Sequence, residues 1–257
     1  MMKKENKKGQ ITIFIILAIC IVIILFLLFV KKSDLVQIFS KKSPIQDIKN
    51  CINEYATQGI AILDSQGGSI NPQNFFLYNG SKVDYICYRN QYYQACVMQK
   101  PMLKEDIENE LKKYLEQNTK ECISNVRSSL ESSGYQVIME ESPNINVELL
   151  PNDVKITYES NIQLIKDTST EAYKNIKVDV NSKLYEFTEI ASSIANWEAR
   201  YGNSETMNYM YFHPDMKVEK KTRSDGTKIY ILTDRNTLEQ FMFATRSFAI
   251  PPGITGN

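Results

Sequence analysis

The apolar residues of this chain are distributed very unevenly. From Gly9 to Val30 there is no charged side chain, and Ile11–Val30 is an almost wholly apolar run of 20 residues. At about 1.5 Å per residue such a helix crosses a hydrocarbon core of about 30 Å. Beyond Lys31-Lys32 the pattern becomes periodic. Ile45, Ile48, Ile52, Tyr55, Ile60 and Leu63 recur at helical spacing. Ser43, Pro44 and Gln46 supply an N-cap, a first helical residue and a capping box, and Gly67-Gly68 ends the helix. A second helix is predicted over 103–133. Its stripe is Ile107, Leu111, Tyr114, Leu115, Ile123, Val126 and Leu130, and Gly134 ends it.

Between these helices the pattern is that of strands. Phe75–Tyr78 and Lys82–Tyr88 flank Asn79-Gly80, a strong two-residue turn signal, and β-formers continue over Tyr92–Met98. Past Gly134, strands are predicted at 135–139, 145–150, 154–165 and 176–181. A helix follows over 182–200, with Leu184, Phe187, Ile190, Ala191, Ile194 and Trp197 as its core face. Strands at 217–222, 228–233 and 239–245 complete the folded part, with Asp225-Gly226 turning the first pair. The expected fold class is α+β. It comprises an N-terminal transmembrane helix, a disulfide-stapled helix pair with a β-hairpin insertion, and an antiparallel sheet with one further helix. The expected regions are a basic leader (1–9), the apolar helix (10–32), the helical pair with its hairpin (33–134) and a β-rich region (135–257).

The apolar run is longer than the core of a cleaved secretory signal, and no small-x-small site follows it, so the helix is expected to be retained. Leu17-Ala18-Ile19-Cys20 is a poor lipobox, because Ile19 stands where Gly or Ala is needed and ten apolar residues follow Cys20. Lysines flank the run on both sides, so the positive-inside rule gives no orientation. The cysteines do. Four lie outside the run, Cys51, Cys87, Cys96 and Cys122, and an even number after an export signal points to disulfides in an oxidising compartment. Zinc-ligand spacing is missing from the sequence. A hairpin centred near Gln91 sets Cys87 opposite Cys96, which leaves Cys51 on the first helix for Cys122 on the second. The N-terminus is therefore expected in the cytoplasm and the C-terminal part outside it.

Lys7-Lys8-Gly9-Gln10-Ile11-Thr12-Ile13-Phe14 resembles the leader of archaeal type IV pilins and pilin-like surface proteins, a class III signal peptide. The resemblance implies cleavage between Gly9 and Gln10 by a prepilin peptidase, with self-assembly through Ile11–Val30. It spans about 25 residues and departs from the bacterial pattern at Phe14, where a Glu is usual. An uncleaved signal anchor is the other reading of the same residues. The rest of the chain is faintly similar to archaeal secreted proteins with the same order of Gly-Gly, cysteine hairpin and Pro-headed helix, which implies location and not activity.

Composition narrows the chemistry. With 30 basic and 30 acidic residues the chain lacks the basic excess of a nucleic-acid protein. No catalytic, cofactor or metal motif is present, and no cofactor is expected. His213, the single histidine, sits before Pro214 and reads as a turn or surface residue. Glu140-Glu141 reads as a solvated strand edge. The clusters Tyr85/Tyr88/Tyr92/Tyr93 and Tyr209/Tyr211/Phe212 offer a recognition surface on one reading, and on the preferred one strand alternation buries half of them. Asn79-Gly80-Ser81 is a possible glycosylation sequon on an exposed turn. The expected function is a non-catalytic structural or minor subunit of a pilus-like filament or surface assembly. A monomeric, membrane-tethered binding or adhesion domain is the alternative, and an extracytoplasmic enzyme, which no motif supports, comes third.

Overall fold

The computed structural model describes Leu17, Ile19, Ile21, Val22, residues 43–140 and residues 143–247. The chain divides into two compact units, Met1–Ser43 and Pro44–Asn257. In the first, Leu17, Ile19, Ile21 and Val22 are helical and exposed, and Ser43 is exposed outside any helix. The expected transmembrane helix and the Gly9-Gln10 junction lie outside the described residues. Among the described residues no helix is long and apolar enough to cross a membrane.

The second unit is α+β. Its elements in chain order are α1 (Pro44–Ser65), β1 (Phe75–Tyr78), β2 (Ser81–Tyr88), β3 (Val97–Met98), α2 (Leu103–Ser132), β4 (Gln136–Ile138), β5 (Asn144–Leu150), β6 (Asp153–Lys166), β7 (Ser169–Asn181), α3 (Leu184–Tyr201), α4 (Thr206–Phe212), β8 (Met216–Thr222), β9 (Thr227–Asp234) and β10 (Gln240–Arg246). The helical periodicity of the sequence is realised. Ile45, Ile48, Cys51, Ile52, Ile60 and Leu63 of α1 are buried, as are Leu103, Ile107, Leu111, Leu115 and Ile123 of α2. The two helices approach closely because Gly59 and Gly68 lack side chains. A Cβ on Gly59 would lie 2.6 Å from Leu111 Cδ1, and one on Gly68 would lie 2.6 Å from Ile107 Cγ1. Gly68 also takes a φ of +77°, which disfavours any other residue. Near the start of α1, Gln46 donates its side-chain amide to Asn50 Oδ1, 2.9 Å away and one turn forward, an i,i+4 pairing on the exposed face.

Two sheets pack with these helices. The smaller is antiparallel and built on β6, with β7 along one edge and β5 and β4 in succession along the other. Its strands alternate cleanly: Val154, Ile156, Tyr158, Ile162 and Leu164 of β6 point to the core and their neighbours do not. The larger sheet has the order β1-β2-β10-β9-β8, with β3 also on β2. An antiparallel sheet was the expectation from sequence, but β2 and β10 run parallel, so this sheet is mixed. Parallel neighbours need a long connection, and here the connection is most of the domain. β9 is buried along its whole length. Tyr230 and Leu232 enter the main core, which all the long helices share. Ile229 and Ile231 enter a second cluster with Tyr78, Val83 and Tyr85. Lys221 over Tyr78 and Arg223 over Phe76 cover that outer cluster.

The turn after α1 is fixed electrostatically. Buried Asp84 of β2 accepts from Ser69 Oγ at 2.6 Å and pairs with Lys100 Nζ at 2.7 Å. Asp64, in the last turn of α1, has no such support. It is buried, and its Oδ1 has no hydrogen-bond partner. Burial, and then the negative charge of Glu239, push its carboxyl well above the ordinary 3.8. The folded state therefore holds a proton here that the unfolded chain has released above about pH 4. Stability falls as pH rises through that window and levels off once folded Asp64 ionises. Asp64→Asn is expected to add about 1–3 kcal/mol of stability at neutral pH, because an amide needs no proton taken up on folding. Its advantage over the natural chain should widen as pH rises from 4, as read by urea denaturation. An advantage that does not change with pH contradicts this account.

Candidate binding site

Both expected disulfides are present, Cys51–Cys122 with Cα atoms 6.2 Å apart and Cys87–Cys96 with 5.5 Å. The hairpin expected to direct the second is different. β3 is two residues long, and Cys87 pairs in register with Met98 rather than Cys96. The intervening residues form a loop in which Tyr93 has a φ of +60° and Tyr92 and Tyr93 are exposed. The loop is drawn aside by β10: Arg89 N–H donates to Arg246 O at 3.0 Å, and Arg246 reaches Tyr88 Oη and Asn90 Oδ1. Asn79 sits on the exposed β1–β2 turn with a φ of +48°, beside Gly80 at +88°, where its side chain is open to modification. Glu140 accepts from Asn161 at 3.0 Å, and Glu141 lies outside the described residues.

Four exposed aromatic residues, Trp197, Tyr201, Tyr211 and Phe212, lie on α3 and α4. Trp197 does not join the core as its stripe suggested. It is 50% exposed and packs on Tyr201 with ring centroids 4.8 Å apart and the rings tilted by 31°. The buried residue at that turn is Glu198. The stripe runs Phe187, Ala191, Ile194, Glu198, and Trp197 falls about 100° to one side of it. Tyr211 and Phe212 are also exposed, 81% and 74%, packed edge to face. Of the two tyrosine clusters, Tyr85 is buried, Tyr88 and Tyr209 are half-buried and the rest face solvent. α4 is too short and too exposed for a helical stripe to announce it.

A buried polar cluster holds this corner in place. The Glu198 carboxylate accepts from Lys228 Nζ at 2.6 Å, from Ser204 N–H at 3.1 Å and from Tyr230 Oη. Lys228 Nζ also donates to Gly202 O, the left-handed residue that ends α3. Burial lowers the Lys228 ammonium below its ordinary value, against the pull of Glu198. Burial, and then the Glu198 charge, raise the Tyr230 phenol. Ser247 Oγ bonds Glu198 O and accepts Cys96 N–H at 3.1 Å, joining α3 to the disulfide loop. α4 is then set by Ser193 Oγ and Tyr209 Oη, 3.0 Å apart, and by Lys220, which donates to Ser204 O at 2.8 Å.

Two clefts flank α4, of about 560 Å3 and 370 Å3, and share Ser193, Tyr209, Phe212 and His213. The His213 backbone N–H donates to Tyr209 O at 2.8 Å. Its ring makes no hydrogen bond among the described residues, and it shares the larger cleft with Ser193 and Asp215. A third groove of about 450 Å3 lies between α2 and the smaller sheet, near Thr119, Ile123 and Tyr158. Among the described residues no cluster could hold a metal ion. Rings, carboxylates and a recess meet at the α3–α4 corner. No family model matches the chain, and neither does any curated protein or solved structure.

Proposed function

We propose that this chain is a membrane-anchored protein of the cell surface that acts by association and not by catalysis, as a structural or minor subunit of a pilus-like filament or surface assembly. The leader Lys7-Lys8-Gly9-Gln10 in front of the uncharged run carries this reading. A prepilin peptidase would cut after Gly9 on the cytoplasmic side and leave Ile11–Val30 as an assembly helix. Two further observations support it. The paired cysteines suit an oxidising compartment outside the cytoplasm. The unit from Pro44 onward has its own continuous core, as expected of a domain displayed on a single helix.

A monomeric, tethered binding domain is the second reading, and the exposed rings of the α3–α4 corner favour it. Mass spectrometry of the native N-terminus separates the two. A mature chain beginning at Gln10 is expected for the pilus-like subunit. A chain that still begins at Met1 or Met2 removes the processing step and leaves the tethered domain.

A further inference from the structure

The groove between α2 and the smaller sheet opens where the stripe of α2 loses its bulk. Leu111, Leu115, Thr119 and Ile123 follow at four-residue spacing and are all buried, but Thr119 is short and turns its hydroxyl back to Leu115 O at 2.7 Å. The recess left beside it is about 450 Å3, within the range of small-molecule sites. Ile123, Met139 and Ile145 make its apolar wall. Ile145 and Tyr158 are cross-strand partners on β5 and β6 and stand on the same face of the sheet. Tyr158 is 2% exposed, and its hydroxyl makes no hydrogen bond among the described residues. Ser160 Oγ on the same strand is also unpartnered but sealed from solvent, whereas the Tyr158 hydroxyl is not sealed and Tyr158 lines the groove. Burial, and then the Glu140 charge, push the phenol up to about 12, so it keeps its proton and acts as a donor. The charges of the wall cancel, Lys120 and Arg127 against Glu116 and Glu140. Arg127 is paired with Glu131 at 2.9 Å, Glu140 accepts from Asn161, and Lys120 is exposed to water.

We infer that this groove binds a small, uncharged carbonyl compound with an apolar body, an ester, amide or ketone. The carbonyl oxygen accepts the hydrogen bond for which Tyr158 has no partner in the protein, and the body covers Ile123, Met139 and Ile145. A hydroxyl donor in an apolar recess costs free energy until something accepts from it. A charged ligand would lose its hydration here and gain no counter-ion in return. Binding of this kind does not depend on whether the leader is cut.

Benzophenone is a neutral ketone that bonds covalently to nearby C–H groups under near-ultraviolet light, so digestion and mass spectrometry report where it sits. The full chain in detergent micelles is irradiated over a range of benzophenone concentrations. Saturable labelling of the peptides that carry Ile123, Met139 or Ile145 is expected, half-complete at or below about 1 mM. Tyr158→Phe should raise the half-saturating concentration about three- to tenfold without lowering the unfolding midpoint, because the hydroxyl it removes bonds nothing in the protein. Ser124→Trp, at an exposed position on the α2 wall of the groove, should block labelling, and Ser128→Trp, exposed one turn further on, should not. Methyl hexanoate should protect the groove, and the hexanoate anion should protect it far less. Labelling that does not saturate or that spreads evenly over the chain, an unchanged half-saturation in Tyr158→Phe, or equal protection by the anion overturns the inference.

Discussion

Lys228→Met lowers the unfolding free energy by about 3–5 kcal/mol, because it leaves the Glu198 carboxylate buried without its cation. Glu198 is fully buried and Lys228 is 7% exposed, so water cannot take the place of the lost ammonium. The change is felt at several points. Lys228 also holds Gly202 O at the end of α3, and Glu198 orients Ser204 N–H and Tyr230 Oη. For a domain of this size the thermal midpoint should fall by on the order of 10 °C. Circular dichroism of the full chain in detergent measures it. Adding Glu198→Gln to Lys228→Met should recover much of the loss, since the buried charge is gone while Tyr230 and Ser204 keep an acceptor. A single variant within about 1 kcal/mol of the natural chain would show that the cluster does not hold the corner.

Removal of the helix staple, by Cys51→Ala with Cys122→Ala, is expected to cost about 4 kcal/mol. The bridge closes a sequence separation of 71, and the chain-entropy model places most of its effect in the unfolded state. The shorter bridge, with a separation of 9, should cost about 2–3 kcal/mol when removed in the same way. Guanidinium denaturation distinguishes this entropic origin from lost packing. The staple-free variant should unfold with a steeper denaturant dependence, because its unfolded chain expands further. An unchanged slope with an equal loss of stability would place the effect in the contact between α1 and α2.

The two predictions bear on features of very different legibility in the sequence. The staple could be read directly, since Cys51 continues the stripe of Ile48 and Ile52, Cys122 sits beside Ile123, and the helical period is a local property. The Glu198–Lys228 pair could not. A pattern of apolar positions is blind to a carboxylate in a core position, and it placed Trp197 in the stripe instead. Only the partner strand β9 shows why Glu198 belongs there. The parallel pairing of β2 with β10 was equally hidden, because residues 158 positions apart, such as Tyr88 and Arg246, carry no local signal of being neighbours. The first half of β7 was missed for another reason. Ser169–Asn175 is exposed and polar, and it is a strand because it pairs with β6 across the Asp167 turn. The α3–α4 corner was legible only as a count of aromatic residues. Their exposure depends on α4, whose seven residues bury no side chain.

The central claim is that the folded unit stands outside the cytoplasm, stapled by two disulfides and tethered by the N-terminal helix. Peptide mapping without reduction, on protein isolated from its native membranes with free thiols blocked at lysis, tests it most directly. The account predicts two cross-linked peptides, one joining Cys51 to Cys122 and one joining Cys87 to Cys96. Four blocked, unlinked cysteines would contradict it, because a reducing compartment would then surround the domain.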